Sequence, residues 1–360
     1  MGKRVLSVII AIICLFGSPL LGAYLSGKPL GEYLCFPPVS VFSSVNPAPF
    51  SWVAFILILI LIIAVMTPFL IRVLTSQKKT EINQPEKHRF PGWGWAGLII
   101  LIAGWILAWT RFPWFSDYQT HTFTVPWIGY IILINAITYM RSGRSMITHH
   151  AGYLAALFLF SAVFWWYFEF LNQFVRNWYY VNEETLTNRE YFLFATLPFA
   201  TVLPAVTGTR DLLSTFPHLS AGLDDFIRVR IRQPSRTGLV GGIAAVLGLA
   251  LIGVWPDHMF PMLWIGPLVL LAAIVLVLRG GGVMADLERG DWRNIYLLAL
   301  AALVCGFFWE MWNHFSLTRW EYSVPLVDRF HIFAMPLLGY AGYLPFGLQC
   351  GLAAWLVKKS

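Results

Sequence analysis

Two pairs of polar residues stand among aromatic neighbours, in Trp165-Trp166-Tyr167-Phe168-Glu169-Phe170-Leu171-Asn172 and in Phe307-Phe308-Trp309-Glu310-Met311-Trp312-Asn313-His314. Each Glu–Asn pair is three residues apart and shares a helix face, and His314 falls on the side of Glu310. Trp178 and Tyr180, like Trp320 and Tyr322, are two apart, so an extended segment would point each pair one way. Arg176 and Arg319 stand just before those tryptophans and within reach of the carboxylates. A carboxyl group in such apolar surroundings is costly unless it is paired or reached by water. Glu310 assisted by His314, together with Glu169, is therefore a candidate acid–base group. Asn172, Arg176, Trp178, Tyr180, Asn313, Arg319, Trp320 and Tyr322 are candidate ligand contacts. The same residues fit a second role, a hydrogen-bonded brace at the ends of membrane helices, where Trp and Tyr gather in any case.

Other chemistry is sparsely supported. His121 and His258 are isolated, His149-His150 adjoins a basic stretch, and neither pattern makes a metal site. Gly280-Gly281-Gly282 precedes no Lys-Ser/Thr and reads as a flexible turn rather than a phosphate cradle. Cys14, Cys305 and Cys350 fall in apolar blocks and Cys35 stands alone, which gives no disulfide or metal framework. No metal is expected, and no cofactor is implied.

The elements that must position these groups are membrane helices. Of the 360 residues 58% are hydrophobic and 12% charged, against about 25% charged in soluble domains. Apolar blocks run Leu6 to Leu25, Phe50 to Ile71, Trp93–Trp109, Val125–Tyr139, Ala151–Leu171, Tyr191–Thr207, Gly238–Val254, Met259–Leu278, Ile295–Trp312 and His331–Val357. Counting each as a crossing gives about ten spans of an all-α polytopic bundle. With residue 1 inside, that count leaves 19 of the 25 basic residues on the inner side, among them Arg72, Lys78, Lys79, Lys87 and Arg279. This is the positive-inside pattern, with both termini cytoplasmic. It also accounts for the net charge of +7 without nucleic acid. The block from His331 carries Pro336, Gly339, Gly342 and Pro345, a spacing that bends or interrupts a helix.

Recurrences of Trp-Ile-Gly at 127 and 264, and of E-x-x-N-x-F followed by W-x-Y, predict two parallel four-helix repeats. The expected layout is two leading spans and a basic loop in 1–90, a first four-span unit in 91–207, a cytoplasmic amphipathic linker in 208–235, and a second unit with the C-terminus in 236–360. In that linker Arg228, Arg230 and Arg232 suit an anionic lipid surface.

The blocks F-F-W-E-M-W-N, W-E-Y-S-V-P and M-P-L-L-G-Y-A-G-Y-L-P-F in Phe307–Phe346, with F-W-W-Y-F-E-F-L-N and N-W-Y-Y earlier, resemble an uncharacterised family of bacterial multi-pass inner-membrane proteins. The resemblance implies a helical membrane fold and no particular chemistry. It also implies Glu in relatives where this chain has Ala334 and Gln349. With almost no charge in the middle of the blocks, coupled transport is less favoured than an outer-face cleft between the repeats. Such a cleft would bind or modify a lipid, isoprenoid or other amphiphile. The alternatives are a solute transporter and a structural subunit of a membrane complex. The expected partners are membrane lipids, with an amphiphilic ligand or a membrane-complex partner beside them.

Overall fold

The computed structural model describes residues 2–38, 47–76, 88–181, 187–277 and 281–359. Lys78, Lys79, Lys87, Arg279 and Gly280 lie outside them. The apolar blocks fold as helices because a backbone surrounded by apolar side chains must satisfy its own polar groups. In chain order the helices are α1 (Gly2–Leu25), α2 (Trp52–Ser76), α3 (Gly92–Trp109), α4 (Thr124–Ser142), α5 (Met146–His149), α6 (Ala151–Val175) and α7 (Asn188–Phe199). They continue as α8 (Val202–Ser214), α9 (Pro234–Val254), α10 (Pro256–Met259), α11 (Met262–Val277), α12 (Gly281–Arg289), α13 (Arg293–His314) and α14 (Tyr343–Lys359). Among the described residues four short strands lie between them: β1 (Trp178–Val181), β2 (Arg319–Tyr322), β3 (His331–Ile332) and β4 (Met335–Pro336).

The count of about ten spans is corrected by these lengths. Six helices among the described residues are long and apolar enough to cross a membrane: Trp52–Ser76, Gly92–Trp109, Ala151–Val175, Asn188–Ser214, Pro234–Val254 and Arg293–His314. A seventh is reached only if Pro113–His121 and Thr124–Ser142, bent by 71°, make one span. The apolar stretches Ile9–Leu25 and Met262–Val277 fall short, and the second has only 16 residues, where about 20 are needed. The last block spends its first residues on β3, β4 and a 3-10 turn over Leu337–Gly342, so α14 keeps 17 residues. Six or seven spans do not supply two units of four beside two leading spans. No repeat relationship between the halves is shown, and the layout of two parallel four-helix repeats falls with the count. What stands is an all-α bundle with the long apolar helices of a multi-pass membrane protein.

Smaller boundaries also shift. The edge expected at residue 208 falls inside α8, whose Gly208 and Thr209 are buried. Gly281 and Gly282, expected in a turn, open α12.

Helix α8 sits near the middle, packed against α4, α6 and α13, while α13 also packs on α14. The large side chains that fill this centre are Trp127, Phe168, Trp312 and Phe346. On one flank α1 lies against α9 and α9 against α11; on another, α3 lies against α4. The α1–α9 crossing depends on Gly22, where a Cβ would sit 1.8 Å from the Ala250 carbonyl oxygen. Small residues of this kind let membrane helices approach backbone to backbone. Helix α2 is different: most of its length is exposed, and it is fastened chiefly at its ends. Near its start Ser51 N donates to the Leu326 carbonyl at 2.9 Å, and the Phe55 ring lies 5.6 Å from that of Phe330. Near its end Phe69 meets Trp292 at 5.4 Å, and Arg72 donates to Gly222.

Candidate functional site

The last turns of α6 and α13 end at the same face of the bundle, because the strands that follow them pair. β1 and β2 run antiparallel, with Trp178 opposite Tyr322 and Tyr180 opposite Trp320. The asparagines set this register. Asn172 Oδ1 accepts from the backbone N–H groups of Asn177 at 2.9 Å and Trp178 at 3.3 Å, and its Nδ2 donates to the Trp178 carbonyl at 2.7 Å. Asn313 does the same for β2: Oδ1 accepts from Trp320 N at 2.9 Å and Nδ2 donates to Trp320 O at 2.7 Å. Each side-chain amide therefore satisfies backbone N–H and C=O groups of the segment that follows its helix. Arg176 makes the turn between α6 and β1 in the left-handed region, at φ 51°.

The carboxyl groups collect aromatic donors. Glu169 Oε1 accepts from Tyr180 OH at 2.7 Å, Trp165 Nε1 at 3.0 Å and Trp178 Nε1 at 3.2 Å. Glu310 Oε1 accepts from Tyr322 OH at 2.7 Å and Tyr343 OH at 2.8 Å, and Trp320 Nε1 donates to Tyr322 OH at 2.9 Å. Both carboxyl groups are buried, and Glu310 Oε2 has no hydrogen-bond partner. Burial first, then the Glu310 carboxyl beside it, pushes the Tyr322 phenol well up. Tyr322 therefore stays a proton donor. Tyr179 faces away from Trp178 and donates to Glu321 Oε2 at 3.2 Å; burial, and after it Glu321, raises its phenol as well.

Three expected partners go elsewhere. Arg319 pairs with Glu321, 2.8 Å away, instead of reaching Glu310. The two are next-but-one neighbours on a strand and share a face without any long reach. Arg176 acts electrostatically on Lys28, whose amine is pushed down by burial first and then by that guanidinium. The His314 ring packs against Phe315 at 4.5 Å and Phe333 at 5.5 Å. The donors on Glu310 are tyrosines.

Tyr343 and Trp165 were missed in the sequence reading. Trp165 was findable, since it lies four residues before Glu169 on one helix face. Tyr343 had a weaker signal, being the first residue after the Gly-rich break that starts α14.

Behind this network are two adjoining cavities. A narrow one of about 100 Å³ is lined by Tyr180, Trp320, Tyr322 and Tyr343. A larger one of about 540 Å³ opens between the middle of α2 and the helices α11, α13 and α14, with Ile62, Val65, Leu268 and Ala299 in its wall. Trp178, Trp264, Tyr322, Met335, Gly339 and Gly342 line both. The larger volume is within the range of small-molecule sites, and its wall is almost entirely apolar. The carboxylates line neither cavity. Their aromatic donors do, so Glu169 and Glu310 act on anything bound there only through Trp and Tyr. No protein-family model, curated protein or solved structure matches this chain.

Proposed function

We propose that the chain binds an amphiphile, a lipid or isoprenoid, with its tail in the slot behind α2 and its polar head against the aromatic network. The observation that carries this reading is the shared wall: the apolar slot meets hydrogen-bonding groups at Trp178 and Tyr322. A tail requires only apolar surface, whereas a head needs a polar partner, and the Tyr322 oxygen, which gives its proton to Glu310 and accepts from Trp320, keeps one lone pair for a donating head beside the slot. In this reading Glu169 and Glu310 hold the indole and phenol donors in place. Any proton exchanged with a modified headgroup passes through Tyr322 or Tyr343, whose hydroxyls both rest on Glu310.

The setting we infer is a bacterial inner membrane with both termini on the cytoplasmic side. Supporting this, Arg72, Arg210 and Arg293 gather at the end of the bundle away from Glu310, as basic residues do on the cytoplasmic face. The outgoing end of α1 lies beside the outgoing end of α6, where Tyr33 stacks on Phe174 at 4.4 Å. The tail of α14 meets the start of α6, where Tyr153 OH donates to Ala354 O at 3.1 Å. Both termini are thereby directed to the arginine end.

The test is to fill the slot. Ala299→Phe projects a ring into it, and the protein is purified in mild detergent for native mass spectrometry. The expected outcome is one co-purifying amphiphile on the wild type and its loss from the variant, which stays folded and melts like the wild type stripped of its amphiphile. A wild type without bound amphiphile, or a variant that retains it fully, would leave the aromatic network as a brace between β1 and β2.

A further inference from the structure

At the opposite end of the bundle lies a third cavity, partly polar and about 660 Å³ in volume. Arg293 and Glu310 share α13 and are 17 residues apart, about 25 Å along a helix axis, so this cavity is separate from the aromatic network. Its wall includes Arg72, Arg210 and Arg293 with Ser220 and Asn294. Two of the guanidinium groups are engaged. Arg72 donates to the Gly222 carbonyl at 2.9 Å and the Asp225 carbonyl at 2.8 Å, holding the loop that follows α8. Arg293 grips Asp291 with bonds of 2.9 and 2.6 Å.

Arg210 differs from both. Its Nη1 lies 3.2 Å from Asp211 Oδ1, while its Nε is buried without a hydrogen-bond partner. The Arg210 side chain is 36% exposed, so its one carboxylate contact leaves the rest of the guanidinium to meet a ligand in the cavity that it lines. The lining carries three guanidinium groups and two carboxylates, Asp224 and Asp291, and Asp211 stands beside it against Arg210. The Ser220 hydroxyl and the Asn294 amide add donors that suit an oxyanion. We propose that this cavity binds a phosphate group through the exposed part of the Arg210 guanidinium, a planar donor group suited to phosphate oxygens. The phosphate belongs either to an anionic phospholipid headgroup or to a soluble phosphate. The site does not depend on the slot behind α2, and filling that slot with Ala299→Phe leaves it intact.

The full chain in an uncharged sugar detergent is titrated with inorganic phosphate and, separately, with phosphatidylglycerol against diacylglycerol, and the thermal midpoint is followed. The wild-type midpoint should rise with a phosphate-bearing probe and not with diacylglycerol. Arg210→Gln should need about tenfold more probe, or beyond, for the same rise. Arg228→Gln, which only breaks an exposed pair with Asp225, should match the wild type. A response to inorganic phosphate assigns a soluble anion, and a response confined to phosphatidylglycerol assigns a lipid headgroup. Arg210→Lys, which keeps the charge and loses the fork, gives the same comparison should the Gln variant not fold, and a weakened response is again expected. No response in the wild type, or an undiminished response in both Arg210 variants, overturns the proposal.

Discussion

Glu310→Ala is expected to destabilise the purified protein by about 2–4 kcal/mol, through the phenols it orphans and the space it empties. Tyr322 and Tyr343 both donate to the same carboxyl oxygen, Oε1. Once it is removed, two buried hydroxyls have no acceptor, and Trp320 loses the fixed phenol to which it donates. Glu310→Gln retains an oxygen in that place and should cost much less. Thermal unfolding of both variants in detergent separates the cases. Equal midpoints for the alanine variant and the wild type would mean that the network contributes nothing to holding β2 and α14 together. The comparison also bears on ligand binding. If Glu310 acts by positioning the phenols, the glutamine variant keeps its amphiphile while the alanine variant loses it.

A still larger loss is expected of Gly347→Leu. A Cβ at Gly347 would meet the carbonyl oxygen of Leu298 at 2.2 Å and its carbon at 2.8 Å, and neither backbone atom can give way. Helix α14 must therefore move off α13, carrying Tyr343 away from Glu310. Overpacking of this kind costs about 3 kcal/mol or more, so the variant should fail to accumulate or should melt far below the wild type. Gly17→Leu is the control, because no atom lies within 4 Å of its Cβ position. A Gly347→Leu protein that melts like this control would contradict the close approach of α13 and α14.

Much of the local architecture was legible from residue types. The W-x-Y pairs do lie on strands, and the break marked by Pro336, Gly339, Gly342 and Pro345 does interrupt the last apolar block. The Glu–Asn spacing proved informative in a divided way: asparagine braces the strand, and glutamate holds the aromatic donors. The number of spans was not legible from apolar blocks, because a block also includes residues that fold as turns or strands. His331–Val357 is the clearest instance, since the residues before Tyr343 form a hairpin and a 3-10 turn. The Arg319–Glu310 pairing failed for a simpler reason. A closer carboxylate, Glu321, was available on the same strand face. The slot had no sequence signal at all. α2 is apolar around its whole circumference, and what makes the slot is that aromatic contacts at Phe55 and Phe69 fasten the helix near its two ends. Only the folded arrangement reveals such a stand-off.

The most direct measurement of the central claim is a high-resolution density map of the full chain purified with its native lipid. An amphiphile-binding protein should show elongated density between α2 and α14, passing Val65 and Leu268 and ending in a polar head against Trp178 and Tyr322. If α2 instead lies closed against α11, α13 and α14, with an empty interface and no density beside Tyr322, the amphiphile-binding account is contradicted.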